Sequence, residues 1–231
     1  MHLTVVLPFF NEEALLPALP GTLGRIRQAL ASHEVRLLAV DDGSRDGTAR
    51  GLASVPGLEV RTHPDNRGVG AAMTTGLREA TGDAAIVYDP DEPYPASTLA
   101  DLVDALAECD VATLSPYHPD GGVDGVGAWR LLLSRCASAL YRRRLRAPLH
   151  TFTCAVRAYR LPQALRLLPA PDDFTAAAAL LAHALREGMR VREVPARLSV
   201  RRAGRSKMRL LRTARAHLRL LRDLSMTAPR R

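Results

Sequence analysis

Residues 35–48 of the chain read VRLLAVDDGSRDGT and contain one complete strand–turn–helix unit. The apolar run Val35–Val40 is too short for a helix and predicts a buried strand. Asp41–Gly43 supplies turn-forming residues, and Asp46–Thr48 is an N-cap signal for a helix predicted over Asp46–Ser54. The unit indicates an α/β fold, in which strands and helices alternate along the chain.

The same unit recurs on both sides of residues 35–48. Strands are predicted at Leu3–Leu7, Leu58–Thr62, Ala84–Tyr88 and Asp110–Leu114, and helices at Glu13–Ser32, Gly68–Ala80 and Asp101–Glu108. Because these strands are almost continuously apolar and separated by helices, they predict a mostly parallel, Rossmann-like sheet flanked by helices. Beyond residue 125 the pattern is helical and rich in arginine, with strand-like pieces at Thr151–Val156 and Arg190–Val200. Without a long linker or internal repeat, we expect a single domain.

Polar residues cluster just after four of the predicted strands. They occupy Pro8–Glu12, Asp41–Asp46, Asp89–Glu92 and Ser115–Gly122. In a parallel sheet the carboxyl ends of the strands lie at one edge, and ligands bind outside that edge. The coincidence predicts a ligand site there rather than four unrelated surface loops.

The composition is that of a globular protein with unevenly distributed charge. Of 231 residues, 47% are hydrophobic and 24% are charged, which argues against disorder. The net charge is +8, but residues 186–231 carry 15 basic and 3 acidic residues, whereas residues 1–185 carry 17 and 21. All the basic residues except Lys207 are arginines, which bind phosphate in a bidentate manner. The excess of basic residues in the segment 186–231 therefore predicts an anionic partner.

The sequence also narrows the cellular location and the partners. The three cysteines, Cys109, Cys136 and Cys154, lack the spacing of a disulfide framework or metal site, so we expect buried small side chains and a reducing, cytoplasmic compartment. The uncharged stretch Phe174–Leu185 is too short to cross a bilayer, and the opening MHLTVVLPFF lacks signal-peptide features. Nucleic acid is disfavoured as a partner, because aromatic residues make up 4% and no zinc or helix-turn-helix signature is present.

Asp89-Pro90-Asp91 follows the fourth predicted strand. Pro90 restricts Asp89 to an extended conformation, so two carboxylates project from a rigid strand end. No basic residue lies between Glu79 and Arg130, and the pair repels itself unless a cation joins it. Hard oxygen ligands of this kind suit Mg²⁺ or Mn²⁺, with substrate phosphates completing the coordination. An isolated Asp-x-Asp sequence is more often a turn than a metal site, so the surrounding motifs have to decide between these two interpretations.

Four motifs of the first half resemble the nucleotide-sugar half of the family-2 glycosyltransferases, which have the GT-A fold. They are PFFNEE (8–13), VDDGSRDGT (40–48), NRGVGAAMTTGLREATGD (66–83) and YDPDEPYP (88–95). In the second half, GGVDGVGAWRLLLSR (121–135), TFTCAVRAYR (151–160) and EVPARLSVRRAGRSKM (193–208) resemble dolichol-phosphate mannose synthase and its bacterial polyprenyl-phosphate relatives. The resemblance runs from about Leu3 to Met208.

The resemblance implies an organisation of the chain and roles for individual residues. Residues 1–207 form the GT-A domain, with a nucleotide-sugar half at 1–115 and an acceptor half at 116–207, followed by a basic amphipathic C-terminal helix and tail at 208–231. The nucleotide-binding residues are expected to be Pro8, Asn11, Glu12, Asp41, Asp42 and Arg67. The metal ligands are expected to be Asp89 and Asp91, with Glu92 as a substitute ligand. Arg130, Arg201, Ser206 and Lys207 are expected at the donor or acceptor phosphates, and Asp89, Asp91, Arg130 and Arg201 are the expected catalytic residues.

The implied reaction moves mannose or glucose from a GDP- or UDP-linked donor to a polyprenyl or dolichyl phosphate, with Mg²⁺ or Mn²⁺ on the donor diphosphate. An acceptor phosphate is ionised near neutral pH, so it attacks in line without a strong base and inverts the anomeric carbon. The lipid acceptor is met either by attachment to the cytoplasmic membrane surface or through a membrane-embedded partner protein. Arg209, Arg212, Arg215, Arg219 and Arg222 would share one face of a helix. That helix either lies on an anionic membrane or packs its leucines on the domain.

Two departures from the family pattern keep alternatives open. Pro93 stands where the family usually has Gln, and Pro116 stands where it usually has Arg. One alternative is a family-2 enzyme with a small phosphorylated or hydroxylated acceptor. The other is a non-catalytic protein that binds nucleotide sugars.

Overall fold

The computed structural model describes residues 1–199 and 210–226 of the chain. The strands are β1 (His2–Phe9), β2 (Glu34–Asp41), β3 (Glu59–Thr62), β4 (Ala84–Val87), β5 (Val111–Ser115), β6 (Gly122–Val123), β7 (Arg157–Arg160), β8 (Val191–Pro195) and β9 (Arg197–Leu198). The α-helices are α1 (Leu19–Ala29), α2 (Thr48–Ala53), α3 (Val69–Glu79), α4 (Thr98–Ala105), α5 (Ala128–Leu145), α6 (Ala176–Arg186) and α7 (Leu210–Met226), and two 3-10 helices span Glu13–Ala18 and Gln163–Leu167.

Seven strands form one sheet in the order β3-β2-β1-β4-β7-β5-β8. β7 is antiparallel to both its neighbours, and the other pairs are parallel. β6 and β9 form a separate two-stranded parallel sheet. The carboxyl ends of β1, β2 and β4 therefore lie side by side, which confirms the predicted mostly parallel α/β sheet.

Each face of the sheet is covered by its own layer of helices. Side chains of β1 alternate between the two faces, because a strand has a period of two residues. Val5 and Leu7 pack with Ile26 of α1 on one face, and Val6 packs with Met73 of α3 on the other. Burial on both faces explains why the strand sequences are almost continuously apolar.

The first predicted helix is divided by its prolines. Glu13–Ala18 is a 3-10 helix that contains Pro17, and α1 begins at the next residue with Pro20 in its first turn. Proline lacks the N–H that a continuous α-helix needs, but a first turn tolerates it because N–H groups there have no partner within the helix. The other predicted helices correspond to α2, α3, α4, α6 and α7.

The strand predicted at Thr151–Val156 is wrong, because this segment is irregular and β7 follows it. The backbone N–H of its first residue donates to Glu193 Oε1 (2.8 Å) instead of to a neighbouring strand. Arg157, the first residue of β7, is fully buried and donates to the carbonyl oxygens of Cys154 (2.9 Å) and Ala177 (2.7 Å). These two bonds tie β7 to the loop before it and to α6.

Helices α5, α6 and α7 share a third apolar cluster. α5 contributes Ala137 and Tyr141, α6 contributes Leu181, and α7 contributes Leu224. Tyr141 Oη lies 3.0 Å from Nδ1 of His217 in α7. Burial lowers the pKa of His217 and raises that of Tyr141, so both side chains are neutral at pH 7. None of the described helices combines the length and the apolar composition needed to span a bilayer.

Gly24 and Gly76 form a matched pair for testing how closely α3 packs on β1. A methyl group at Gly24 in α1 would meet no atom within 4 Å, whereas one at Gly76 in α3 would lie 2.1 Å from Val6 Cγ1. We expect Gly24→Ala to stabilise the fold by about 1 kcal/mol through helix propensity. Gly76→Ala should destabilise it by about 1–3 kcal/mol through overpacking. Denaturant unfolding measures both, and equal stabilisation would contradict the close packing.

Candidate active site

A cavity of about 710 Å³ opens at the carboxyl edge of the sheet, beside the ends of β1, β2 and β4. The described residues that line it are Pro8, Phe9, Phe10, Glu12, Leu15, Asp42, Asn66, Arg67, Gly68, Val69, Ala72, Asp89, Pro90, Asp91, Asp172, Asp173, Phe174, Arg212 and Thr213. Six of these side chains are carboxylates and two are guanidinium groups. Carboxylates this crowded repel one another and any anionic ligand unless hydrogen bonds or cations compensate their charge.

The loops after β1 and β2 are joined by reciprocal hydrogen bonds. The Asn11 N–H donates to Ser44 Oγ (2.8 Å), and the Arg45 N–H donates to Asn11 Oδ1 (2.8 Å). The Ser44 hydroxyl donates in turn to the buried carboxylate of Asp41. Asn11 and Asp41 thus join the two loops; neither is among the described lining residues, and their expected nucleotide contacts stay predictions.

The carboxylate of Asp42 is buried and accepts four hydrogen bonds from residues 63–68. Oδ1 lies 2.7 Å from His63 Nδ1 and 3.0 Å from the Arg67 N–H nitrogen. Oδ2 accepts from Asn66 Nδ2 (2.8 Å) and from the Gly68 N–H (2.7 Å). Asp42 thereby holds the loop that places Arg67 on the cavity wall. Because Asp42 itself lines the cavity, its expected contact with the nucleotide stays a prediction.

The backbone N–H groups of Gly68 and Gly70, just before and at the start of α3, are used within the protein. The Gly68 N–H is bound to Asp42, and the Gly70 N–H donates to Asp172 O (2.9 Å). Gly68 has φ +110°, and a side chain there would lie 2.2 Å from Asp172 O. Glycine is therefore required at this position by the close approach of residues 171–173. Arg67, the residue before it, supplies the cationic side chain of this loop.

Asp89 and Asp91 line the cavity, whereas Glu92 turns away from it. Glu92 has φ +49°, and its buried carboxylate accepts hydrogen bonds from Thr22 Oγ1 (2.5 Å) and Arg25 Nε (3.1 Å) of α1. It is not among the described lining residues. In this structure the Glu92 carboxylate is hydrogen-bonded to α1, and its expected role as a substitute metal ligand stays a prediction.

Asp89 and Asp91 offer hard oxygen ligands of the kind that Mg²⁺ and Mn²⁺ prefer. Among the described residues, no three His, Cys, Asp or Glu side chains form a complete metal site. A divalent cation held by two carboxylates needs further oxygen ligands, which a diphosphate and water can supply. The donor set therefore fits a cation that is shared with a diphosphate ligand.

Four predicted phosphate contacts are not on the described cavity wall. Arg201, Ser206 and Lys207 lie outside the described residues. The chain on both sides of them is described: the Ser199 N–H donates to Pro93 O (2.9 Å), two residues after Asp91, and Arg212 lines the cavity. Arg130 is half-buried in the first turn of α5 and is absent from the described lining, so its contact stays a prediction.

The sequence does not predict the part of the cavity wall formed by residues 172–174 and by Arg212 and Thr213. Asp173 Oδ1 accepts a hydrogen bond from the Thr175 N–H (2.8 Å) at the start of α6. An acidic residue before an apolar helix is a recognisable N-cap signal. No feature of the local sequence, however, indicates that the start of α6 lies at the same cavity as the loop after β4, because that position depends on the order of strands in the sheet.

Two other groups with reactive side chains lie away from the cavity. Cys109 and Cys154 are buried as predicted, but Cys136 is exposed on α5. Burial raises the pKa of the Cys154 thiol to about 11, so it stays protonated at neutral pH. His150 Nδ1 lies 2.7 Å from Glu193 Oε2.

The fold agrees with comparisons with known proteins. The family model for glycosyl transferase family 2 matches residues 4–163, and the chain belongs to this family. It is 33% identical over 217 residues to the polyprenol monophosphomannose synthase of Mycolicibacterium smegmatis, covering 88% of this chain and 80% of that protein. It is 31% identical over 141 residues to the dolichol-phosphate mannosyltransferase of Pyrococcus furiosus, covering 59% of this chain and 39% of that longer protein.

A solved structure supports the fold at a lower level of sequence identity. Glucosyl-3-phosphoglycerate synthase from Mycobacterium tuberculosis, in complex with Mn²⁺, uridine diphosphate and glucosyl-3-phosphoglycerate, superposes with a TM-score of 0.73. The superposition covers 98% of this chain and 81% of that chain at 21% identity. The predicted GT-A architecture is thereby confirmed.

The hydrogen bonds around His63 predict a graded loss of stability. His63→Ala removes one of the four donors to the buried Asp42 carboxylate, and should lower the free energy of unfolding by about 1.5–3 kcal/mol. Thr75→Val is the matched control, because it removes only the outer bond between Thr75 Oγ1 and His63 Nε2 (2.9 Å). That bond should contribute about 0.5–1.5 kcal/mol. Equilibrium unfolding in denaturant compares the two, and an equal loss would contradict the role of Asp42 as the centre of the network.

Proposed function

We propose that the chain transfers mannose or glucose, with inversion, from a GDP- or UDP-linked donor to the phosphate of a polyprenol. The observation that carries the proposal is the position of Asp89 and Asp91 on the wall of the cavity at the carboxyl edge of the sheet. The nearly full-length similarity to a polyprenol monophosphomannose synthase supports the choice of a lipid-linked phosphate as acceptor.

The donor is proposed to bind between the loop after β1 and the loop after β4. Pro8 and Glu12 line one side of this region, and Arg67 supplies a guanidinium group for a phosphate. Asp89 and Asp91 would hold Mg²⁺ or Mn²⁺, which neutralises the negative charge that develops on the leaving diphosphate. Without such a cation, the two carboxylates would repel the donor.

The acceptor phosphate is proposed to bind among the arginines that precede and begin α7. Arg212 lines the cavity, and the described chain lies at the site on both sides of residues 200–209. This supports the assignment of Arg201, Ser206 and Lys207 to the acceptor phosphate. A phosphate monoester is ionised near pH 7, so its oxygen attacks the anomeric carbon without a strong base. Attack opposite the leaving diphosphate inverts that carbon.

A second candidate function has a small hydroxylated acceptor instead of a lipid phosphate. Asp172 and Asp173 support it, because they add two exposed carboxylates to the cavity wall. A sugar hydroxyl needs a general base, and a carboxylate can serve as one. An acceptor panel separates the two candidates, since the same carboxylates repel a phosphate but assist a hydroxyl group.

The proposed location is the cytoplasmic surface of a membrane, where a lipid-linked acceptor would be reached by direct attachment or through a membrane-embedded partner protein. The basic residues of the C-terminal fifth support an anionic surface as the contact.

The proposal is tested by transfer from radiolabelled GDP-mannose, GDP-glucose, UDP-mannose and UDP-glucose in the presence of Mg²⁺ or Mn²⁺. Polyprenyl phosphate is one acceptor, and 3-phosphoglycerate and glycerol are the small-molecule arm. We expect label in the lipid phase with at least one donor. Label in the small acceptors alone would favour the second candidate. Nucleotide binding without any transfer would identify a non-catalytic binding protein.

Three neighbouring carboxylates should respond differently to neutralisation. Asp89→Asn and Asp91→Asn should remove most metal-dependent turnover with the fold retained, because both side chains face the cavity. Glu92→Gln should lower the free energy of unfolding by about 1–3 kcal/mol through its contact with Arg25, and keep the metal dependence. Activity against Mn²⁺ concentration, measured beside unfolding curves, checks this. Near-parental activity of either Asp variant would contradict the metal assignment.

Donor and acceptor contacts should separate kinetically. Arg201→Ala and Lys207→Ala should each raise the KM for polyprenyl phosphate by about tenfold to a hundredfold, because each removes a charge-assisted hydrogen bond to the acceptor phosphate. Arg67→Ala is the comparison variant and should instead weaken binding of the nucleotide diphosphate. Nucleotide titration and acceptor kinetics measure both quantities. An equal loss of nucleotide affinity in all three variants would move the basic segment to the donor side.

A further inference from the structure

The outer face of α5 carries a continuous row of apolar side chains in contact with solvent. Trp129 is 68% exposed, Leu132 is 50% exposed and Leu140 is 46% exposed, and Cys136 between them is also exposed. Their spacing of three, four and four residues places them on one side of the helix. Tyr141 is buried on the opposite side of α5. We call Trp129, Leu132, Cys136 and Leu140 the apolar stripe.

The surroundings of the apolar stripe are strongly basic. α5 contains five arginines and no acidic residue, and the neighbouring α7 contains four arginines and one aspartate. Arg143 of α5 and Arg215 and Arg219 of α7 are exposed. Within the described part of the chain, these three guanidinium groups have no carboxylate within ion-pairing distance. An apolar row among unneutralised arginines complements a surface that is apolar inside and anionic at its boundary.

The structure decides between the two roles left open for α7. Leu224 is buried in the cluster shared with α5 and α6, and Leu220 and Leu221 pack against that cluster. The arginine face is exposed, and Leu218 is the large apolar side chain that accompanies it, at 60% exposure. Since three of the four leucine side chains described in α7 are used for packing, apolar contact with a membrane has to come largely from elsewhere. α5 buries its inner face in the same cluster, so both outer faces point away from it.

We propose that the apolar stripe of α5 inserts into the boundary between headgroups and acyl chains of an anionic bilayer, with the arginine face of α7 against the headgroups beside it. Trp129 at the start of the stripe suits this boundary, because indole rings prefer the membrane–water interface. The charge of the surface favours anionic lipid over a neutral apolar partner or a second copy of this chain. Two copies would bring the exposed arginines Arg143, Arg215 and Arg219 of each chain against one another.

The position of α7 connects this surface to the cavity. Arg212 and Thr213 line the cavity, and the exposed arginines of α7 follow within the next three turns. A bilayer against α5 and α7 would therefore present lipid phosphates beside the cavity. This link to the acceptor rests on the proposed function, whereas the membrane contact itself does not.

The full-length chain carries its own reporter, because Trp129 is its sole tryptophan. Its emission is measured during titration with vesicles of phosphatidylcholine alone and with phosphatidylglycerol added. We expect a blue shift with the anionic vesicles, and quenching when their acyl chains are brominated. High salt should weaken the binding, because the attraction between arginine and headgroup is screened.

Variants separate the apolar and the basic contributions. Leu132→Ser with Leu140→Ser should weaken binding to anionic vesicles about tenfold. Arg215→Gln with Arg219→Gln should weaken it similarly and reduce its salt dependence. Leu165→Ser is the matched control, because Leu165 is an equally exposed leucine (43%) in the 3-10 helix 163–167. It should bind as the parent does.

Removing α7 is a poor test, because it would uncover the cluster around Leu224. Unfolding curves establish that each variant is folded.

Three results would overturn the inference. The first is vesicle binding in sedimentation with unchanged Trp129 emission, which would place the contact on another surface. The second is a blue shift without vesicles that grows with protein concentration, which would identify a second copy as the occupant. The third is unchanged vesicle binding by the Leu132 and Leu140 double variant.

Activity measurements keep this inference distinct from the proposed function. The Leu132 and Leu140 double variant should lose transfer to polyprenyl phosphate in vesicles and keep transfer to a short, water-soluble prenyl phosphate. Loss of both would assign the stripe to the site or the fold and would contradict the inference. A parent chain that binds anionic vesicles through Trp129 but transfers sugar to neither acceptor would leave the membrane contact standing and refute the proposed function.

Discussion

The buried carboxylate of Asp42 is the constraint on which the site depends. It lies just after β2, and its four hydrogen bonds fix residues 63–68 at the carboxyl edge of the sheet. That loop places Arg67 on the cavity wall and begins α3. Through the bond from the Gly70 N–H to Asp172 O, the start of α3 also fixes the segment before α6. A buried carboxylate without these donors would be costly, so the four contacts together favour this one arrangement of residues 63–68.

The acidic residues of the site differ in where their carboxylates lie. Asp41 and Asp42 are satisfied by hydrogen bonds within the loops, and Glu92 is balanced by Arg25. Asp89 and Asp91 lie on the cavity wall. Asp41, Asp42 and Glu92 therefore stabilise the loops around the cavity, whereas the two proposed metal ligands lie on its wall.

Arginine serves two opposite purposes in the same chain. Arg157 is fully buried and donates to backbone carbonyl oxygens, so it closes the contact between β7 and α6. Exposed arginines on α5 and α7 instead leave their guanidinium groups towards solvent, beside apolar side chains that have no cover within the described chain. The delocalised guanidinium group tolerates both environments, because it presents several donors in a plane and is weakly hydrated. Lysines could replace the exposed arginines as cations that attract anions. A lysine could not replace Arg157, because it lacks the planar set of donors that this buried position uses.

The sequence by itself determined the order of strands and helices as far as β5 and the mostly parallel sheet, because apolar periodicity and turn chemistry act over a few neighbouring residues. It also singled out the Asp89–Asp91 pair, through the surrounding motifs and not through the Asp-x-Asp pattern alone. The tertiary structure alone decided that Asp42 is enclosed by residues 63–68, that Glu92 turns towards α1, and that residues 172–174 complete the wall. It likewise decided which side of α5 is left uncovered. These outcomes depend on which donors and surfaces meet across the sheet, and a carboxylate or leucine looks the same in sequence whether its partner is water, a ligand or a distant loop.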